Sequence, residues 1–206
     1  DTYYVSGLNS SVTEPIVKIA TTYNDGEHGD KAVTYVKDGA FSDNYLIKKV
    51  IMPSVTDLGG RVFAFCSALE YVDMRGVTYL KASVVDESNA SLRPDNSVES
   101  NNNFLNCFNL KTVIVGNGYH ADLQQFVSTD DAQKNKTDLY VYGEVTAVIS
   151  GNNGLLNGNV HYMGDPTKCN YWKFDDNGEI VKGNAAHDFV DGVCSVCGRY
   201  GDEKTA

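Results

Sequence analysis

Phe63-Ala-Phe-Cys66-Ser-Ala-Leu69-Glu-Tyr-Val72 and Phe104-Leu-Asn-Cys107-Phe-Asn-Leu110-Lys-Thr-Val113 carry Phe, Cys, Leu and Val at identical intervals. Phe41-Ser-Asp-Asn44-Tyr-Leu-Ile47-Lys-Lys-Val50 fits the same frame with Asn44 in the cysteine place. Self-similarity at a period of about 20–50 residues marks a chain whose units cannot bury their apolar faces alone and must stack. Outward from these segments, residues 33–54 and 55–76 form two units of 22 residues. Each opens on Val-Thr, with an apolar residue at its fourth position (Val36, Leu58) and Phe five residues later. A third unit opens at Val77-Thr-Tyr-Leu80 and closes on residues 104–118, interrupted by an insertion at 86–103 that carries Asn89, Asn96, Asn101, Asn102 and Asn103. A weaker fourth unit holds Leu123, Phe126 and Asp138-Leu-Tyr-Val-Tyr142, and a fifth runs from Val145-Thr-Ala-Val148 to residues 159–163.

The local chemistry of one unit is readable. Lys48-Lys-Val-Ile-Met52, Glu70-Tyr-Val-Asp-Met74 and Lys111-Thr-Val-Ile-Val115 are short, β-branched and partly alternating, which predicts strands. Pro53, Gly76 and Gly116 end them, because neither residue type continues a ladder well. Phe, Cys and Leu at intervals of three before each strand predict a turn of 3₁₀ or α-helix with one face inward. Stacked units then give a parallel sheet on one side, helical turns on the other and a continuous core between them. The outward strand positions, Lys49 and Ile51, Tyr71 and Asp73, Thr112 and Ile114, are the candidate contact residues. Tyr71 is the first choice of anchor, since aromatic side chains carry a large share of interface energy.

These units resemble the BspA-like leucine-rich repeat family of bacterial cell-surface proteins, whose repeats read close to Val-Thr-x-Ile-Gly-x-x-Ala-Phe-x-x-Cys-x-x-Leu-x-x-Val-x-Leu-Pro. Val55-Thr-Asp-Leu-Gly59, Ala40-Phe41, Phe63, Cys66, Cys107, Leu69, Leu110 and Pro53 fall on that pattern, which fades after Gly118. The resemblance implies an α/β, β-rich solenoid: a right-handed, leucine-rich-repeat-like coil with short parallel strands. It also implies a secreted or cell-surface protein that binds a partner on a host or bacterial surface. The expected organisation is an N-terminal cap at 1–32 with a strand at Ile16-Val-Lys-Ile19, the solenoid at 33–164, and a small hairpin and cysteine module at 165–206.

Composition bounds the function. The 206 residues are 42% hydrophobic, enough for a core, and carry a net charge of −10 from 27 acidic and 17 basic side chains. With no basic cluster beyond Lys48-Lys49, nucleic acid and anionic membrane surfaces are unfavourable partners. No apolar run approaches the ~20 residues of a membrane-spanning helix. The first residue is Asp1, not Met, which reads as a processed, exported chain. Gly-x-Ser-x-Gly, His-Glu-x-x-His and the phosphate-binding Gly-x-x-x-x-Gly-Lys-Ser/Thr pattern are absent from the sequence, so no catalytic residue is named and a non-enzymatic role is expected.

Cysteine usage leaves alternatives open. Cys66 and Cys107 read as small buried side chains or, on adjacent windings of an exported protein, as a disulfide. In the tail, His187-Asp-Phe-Val-Asp-Gly-Val-Cys194-Ser-Val-Cys197-Gly198 resembles a short module that ends surface proteins of gut-dwelling Gram-positive bacteria. Cys169, His187, Cys194 and Cys197 make a Cys₃His set for a structural zinc, in which four protein ligands would leave no position for a substrate. A disulfide or free thiols are the other readings. Before this module, Tyr171-Trp-Lys-Phe-Asp-Asp-Asn-Gly178-Glu-Ile-Val-Lys-Gly183 predicts a hairpin with a type I′ turn at Asn177-Gly178. It is similar to the aromatic hairpins of choline- and glucan-binding repeats, which makes Tyr171 and Trp172 candidates for a glycan contact. Three functions therefore follow in order: surface recognition of a protein, a spacer or scaffold module, and carbohydrate or cell-wall binding through that hairpin.

Overall fold

The structure is a computed structural model that describes residues 2–9, 13–77, 79–80, 103–116, 120–121, 137–142, 160–164, 171–183 and 189–195. The insertion at 86–102, Leu123, Phe126, Val145–Val148, Cys169, His187 and Cys197 lie outside the described residues. The strands are β1 (Tyr3–Val5), β2 (Ile16–Lys18), β3 (Thr22–Asn24), β4 (Asp30–Val36), β5 (Lys49–Ile51), β6 (Asp57–Leu58), β7 (Tyr71–Met74) and β8 (Tyr79–Leu80). They continue as β9 (Thr112–Val115), β10 (His120–Ala121), β11 (Asp138–Tyr142), β12 (Val160–Met163), β13 (Trp172–Phe174), β14 (Ile180–Lys182), β15 (Phe189–Val190) and β16 (Val193–Cys194).

The main sheet has eight strands in the order β14-β13-β12-β11-β9-β7-β5-β2. Its pairings from β2 to β13 are parallel. Val50 faces Val72, Val72 faces Val113 and Val113 faces Leu139. The repeat frame and the ladder therefore coincide. The first step joins equivalent residues of two 22-residue units, and the second spans the same unit plus the insertion. Two smaller sheets form where units open: in one Val36 faces Leu58 and in the other Leu80 faces Ala121, both in parallel. Within segment 1–32, the expected cap, two strands join these sheets. Val5 pairs with Val36, and Ile16–Lys18 pairs with Lys49–Ile51.

One column of rings fills the interior. Phe41 stacks on Phe63 at 5.5 Å and Phe63 on Phe104 at 5.4 Å, and all three are buried. Each offset-stacked pair contributes about 0.5–1.5 kcal/mol beyond its buried area. Cys66, Cys107, Ile47, Leu69 and Leu110 join the same core with the inward strand residues.

The side opposite the main sheet departs from expectation. Among the described residues there is no α- or 3₁₀-helix, so the α/β description gives way to an all-strand architecture with turns. Single three-residue turns do form: the Cys66 amide donates to the Phe63 carbonyl at 3.1 Å, the Leu69 amide to Cys66 at 3.0 Å, and Cys107 and Leu110 repeat both bonds. A helix is prevented by backbone sign. Asp43, Phe65 and Asn106, each two residues after the column phenylalanine, have φ of 60°, 64° and 59°. A left-handed residue ends a right-handed turn after one hydrogen bond. The released amides bond to the next winding instead, Asp43 to Ala64 at 2.9 Å and Phe65 to Leu105 at 2.7 Å. Gly59 supplies a close approach in this region, since a Cβ there would lie 2.1 Å from Oδ1 of Asp38.

The cysteine column is part of this stitching. Cys66 and Cys107 are free thiols, so the Cys66–Cys107 disulfide is not formed. Cys66 Sγ donates to the Phe41 carbonyl at 2.9 Å, and Cys107 Sγ to the Phe63 carbonyl at 3.0 Å. Asn44, in the same place, uses Oδ1 to accept the amides of Leu46 and Ile47, both at 2.9 Å. Asn103, assigned from the sequence to the insertion, is buried in the turn column and accepts the Val62 amide through Oδ1 at 2.8 Å.

Candidate functional site: the outer face of the parallel sheet

Alternation along each strand gives the sheet two faces. Val50, Val72, Val113 and Leu139 point into the core, as do Met74, Val115 and Val141. The opposite, outer face therefore carries Lys49, Tyr71, Thr112 and Asp138 in one row and Ile51, Asp73, Ile114, Tyr140 and His161 in the next. The candidate residues chosen from the sequence share this face, but it is not uniformly open. Asp73 is 3% exposed and Ile114 is fully buried, whereas Lys49, Ile51, Tyr71 and Thr112 are partly exposed.

The cover comes from the C-terminal hairpin. Strand β13 extends the sheet through Met163 facing Trp172, and the Gly164 amide donates to the Trp172 carbonyl at 2.7 Å. β13 and β14 pair in antiparallel fashion. Trp172, Phe174 and Ile180 then pack with Ile114, Tyr140, Met163, Tyr71 and Tyr142 into a second apolar cluster. Trp172 meets Tyr140 edge-on at 5.4 Å and His161 at 4.8 Å. Phe174 reaches across to the winding of β7, where the Arg75 guanidinium lies 4.8 Å from its ring centre. The hairpin thus packs its aromatic side chains against the outer face.

Its turn differs from expectation. The Gly178 amide donates to Asp175 at 3.0 Å, the Asp175 amide donates to Glu179 at 2.9 Å, and Gly178 has φ of 79° while Asn177 does not share the positive sign. This is a type I turn followed by a left-handed glycine, the three-residue hairpin loop, not a two-residue type I′ turn. Oδ1 of Asp175 accepts the amides of Asn177 and Glu179, and these bonds, with Glu179 first, hold its carboxyl below the usual carboxylate range. The type I′ geometry appears at Asp191-Gly192, where both residues have positive φ and link β15 to β16.

Arg75 was not singled out in the sequence, where it is a lone cation after a strand. It is the polar centre of the covered half. Its Nη2 pairs with Oδ2 of Asp73, and its Nε donates to Oδ1 of Asp73 at 3.0 Å. Its guanidinium lies 5.5 Å from the Tyr142 ring centre. Bonding to Asp73 raises its pKa further, so the charge is fixed. Burial pushes the Tyr140 phenol up to about 12 and raises that of Tyr71 beyond its ordinary value. His161 Nε2 lies 2.8 Å from Oδ1 of Asp138 at the rim.

The open half lies on the N-terminal windings. There Lys49 Nζ sits 4.2 Å above the Tyr71 ring centre, flanked by Ile51, Lys18 and the half-exposed Ile16. Tyr171 is occupied internally: a Cβ on Gly183 would come within 2.1 Å of its ring. Trp172 is committed to Tyr140 and His161, and Lys182 approaches it at 5.8 Å. Of the four zinc candidates only Cys194 is described; it is buried at the end of β16. Among the described residues no group of three or more His, Cys, Asp or Glu side chains is arranged to hold a metal ion. No helix of the described residues is long and apolar enough to cross a membrane.

No protein-family model matches the chain. No curated protein matches it either. Among solved structures, a leucine-rich repeat protein from Bacteroides ovatus ATCC 8483 is similar at a TM-score of 0.45 and 17% identity, over 81% of this chain and 37% of that one. The chain thus spans little more than a third of that protein's length. The fold described above rests on the chain's own strand pairings and ring column.

Proposed function

We propose that this chain is a solenoid recognition module of a secreted or cell-surface protein. On this reading it is non-enzymatic and binds a protein partner through the open half of its outer sheet face. The observation that carries the reading is the docked hairpin. An extended aromatic segment already lies against one half of this face, held by ring contacts and a cation over a ring. The neighbouring N-terminal windings continue this chemistry, with Lys49 over Tyr71 beside the partly exposed Ile51, Tyr71 standing at the border between the covered cluster and the open half. Repeat stacks present such faces as continuous surfaces, and aromatic anchors such as tyrosine are favoured in protein interfaces. The partner would sit on a host or bacterial surface.

A spacer or scaffold role is the second reading, and the buried state of Asp73 and Ile114 favours it, because it shrinks the free area. Carbohydrate binding through Tyr171 and Trp172 has less support, since those rings are engaged within the fold. A structural zinc held by Cys169, His187, Cys194 and Cys197 would tie down the tail, and metal analysis of the protein with and without Cys194→Ser tests it.

The functional test is a binding screen against extracellular-matrix proteins and surface glycans, repeated with Lys49→Glu and Tyr71→Ala. Capture of a protein that both variants lose, by about tenfold for an aromatic anchor, is the expected result. Capture that survives both variants, or capture of glycans alone, overturns the reading.

A further inference from the structure

The hairpin of β13 and β14 is fastened to the main sheet differently at its two ends. At the β12 end the fastening is main chain: Met163 faces Trp172, and the Gly164 amide donates to the Trp172 carbonyl at 2.7 Å. Among the described residues this is the one register pair between β12 and β13, where β7 and β9 share four. Past Trp172, the backbone bonds among the described residues stay inside the hairpin, as from Asp175 to Glu179 and from Gly183 to Tyr171. The far end is held by side chains, with Phe174 over the Arg75 guanidinium that Asp73 fixes in place.

Burial is just as uneven. Ile114, Tyr140 and Met163 beneath the hairpin are buried, while each of residues 171–183 is partly or fully exposed. The hairpin hides the face, and the face hides little of the hairpin. Two short strands are marginally stable in water by themselves, so the docked position orders them. A segment with a main-chain attachment at one end and a side-chain latch at the other opens locally at a lower cost than the strands beneath it unfold.

We propose that residues 171–183 form a strap that swings about Gly164 and Trp172, releases at Arg75 and so uncovers the second half of the outer face for the partner. This rests on the reading that the outer face binds a protein, and adds that the area on offer is regulated. Closed, the free face ends at Tyr71, which packs with the covered cluster and carries Lys49 on its ring. Open, the row Ile51, Asp73, Ile114 and Tyr140 becomes one continuous surface. The vacated place over Arg75 suits an aromatic side chain of the partner, because the cation stays fixed by Asp73. A strap open in about 0.1–10% of molecules lowers affinity for the full face by that fraction until the latch is released.

Hydrogen exchange read by mass spectrometry on the intact chain, with no partner present, tests the strap. Amides of 171–183 should exchange about tenfold or more faster than those of β5, β7 and β9, at a rate that low denaturant leaves unchanged. Phe174→Ala cuts the latch and should speed hairpin exchange by about three- to thirtyfold. Phe63→Ala loosens the ring column without touching the latch. It should speed exchange in β5, β7 and β9 and leave the hairpin rate at the parent value. In both variants those three strands should stay slower than the hairpin, which reports that the chain still folds. The dye 8-anilinonaphthalene-1-sulfonate, which lights up on exposed apolar surface, should gain fluorescence with Phe174→Ala over the parent. Hairpin amides that share the rate and denaturant dependence of β7, a hairpin rate that rises with Phe63→Ala, or fast hairpin exchange without a gain in dye fluorescence would each overturn the proposal. Any of these leaves the binding screen standing. Protein capture that survives Lys49→Glu and Tyr71→Ala, with exchange as expected, overturns the recognition reading and not the local opening.

Discussion

The two faces of one parallel sheet obey different rules. Inside, the rows are nearly uniform: valine at positions 50, 72 and 113, with leucine at 139. Outside, the matching rows run lysine, tyrosine, threonine, aspartate, and then isoleucine, aspartate, isoleucine, tyrosine. The inner face is constrained because each winding must pack on its neighbours at close to crystalline density. The outer face has no such requirement, so its composition is free to encode what lies on it. One half already has an occupant, the hairpin of β13 and β14, and the other does not. Function in this molecule is therefore sought where the repeat stops repeating.

The largest effect that sharpens this contrast should come from the inner face. Phe63 is the middle ring of the column, fully buried, with a stacked neighbour on each side. Phe63→Ala removes both contacts and leaves a cavity between windings, a loss of about 3–5 kcal/mol. Chemical denaturation of the variant checks it. A loss below about 1 kcal/mol would break the claim that the column carries the stack.

The cysteine column gives a smaller, pH-dependent effect. Burial is the main cause that lifts the Cys66 thiol from 9.0 to about 11, and it moves Cys107 in the same direction. The folded state thus holds these protons more tightly than the unfolded chain. Their contribution is fully present below about pH 9 and is lost as pH rises through about 11. Denaturation midpoints measured from pH 7 to 11 should fall in the parent. Cys66→Ala, less stable at pH 7, should decline less steeply. Parallel curves would contradict the buried thiol–carbonyl bonds.

The legible part of the fold followed from spacing. Phe41, Phe63 and Phe104 could be placed in one column because equal intervals in a stack bring equivalent side chains together. Strand positions followed from the β-branched runs, and alternation put Lys49 and Tyr71 on a common face, but which parity points outward became visible only with Val50 and Val72 packed in the core. The missing helix was not legible, because the left-handed position is filled by Asp43, Phe65 and Asn106, and a phenylalanine gives no hint of positive φ. The turn at Asn177-Gly178 misled because the dipeptide also suits a type I turn with a left-handed glycine, once Asp175 accepts the amides of Asn177 and Glu179. The covered half of the outer face was hidden for another reason. Arg75 and Phe174 are far apart in sequence, belong to no common period, and meet only when the hairpin folds back.

That fold-back is the central claim, and a double-mutant cycle on Arg75→Ala and Phe174→Ala tests it most directly. Each single change should destabilise the chain, Arg75→Ala by about 2–3 kcal/mol because it strands the buried Asp73 carboxylate. The coupling between them should be about 0.5–2 kcal/mol, the range for a cation held over a partly desolvated ring. Trp172, the single tryptophan of the chain, should shift its emission to longer wavelength in both variants as the hairpin loosens. Strictly additive effects with unchanged Trp172 emission would mean the hairpin does not lie on this face, and the division into a covered and an open half would fall.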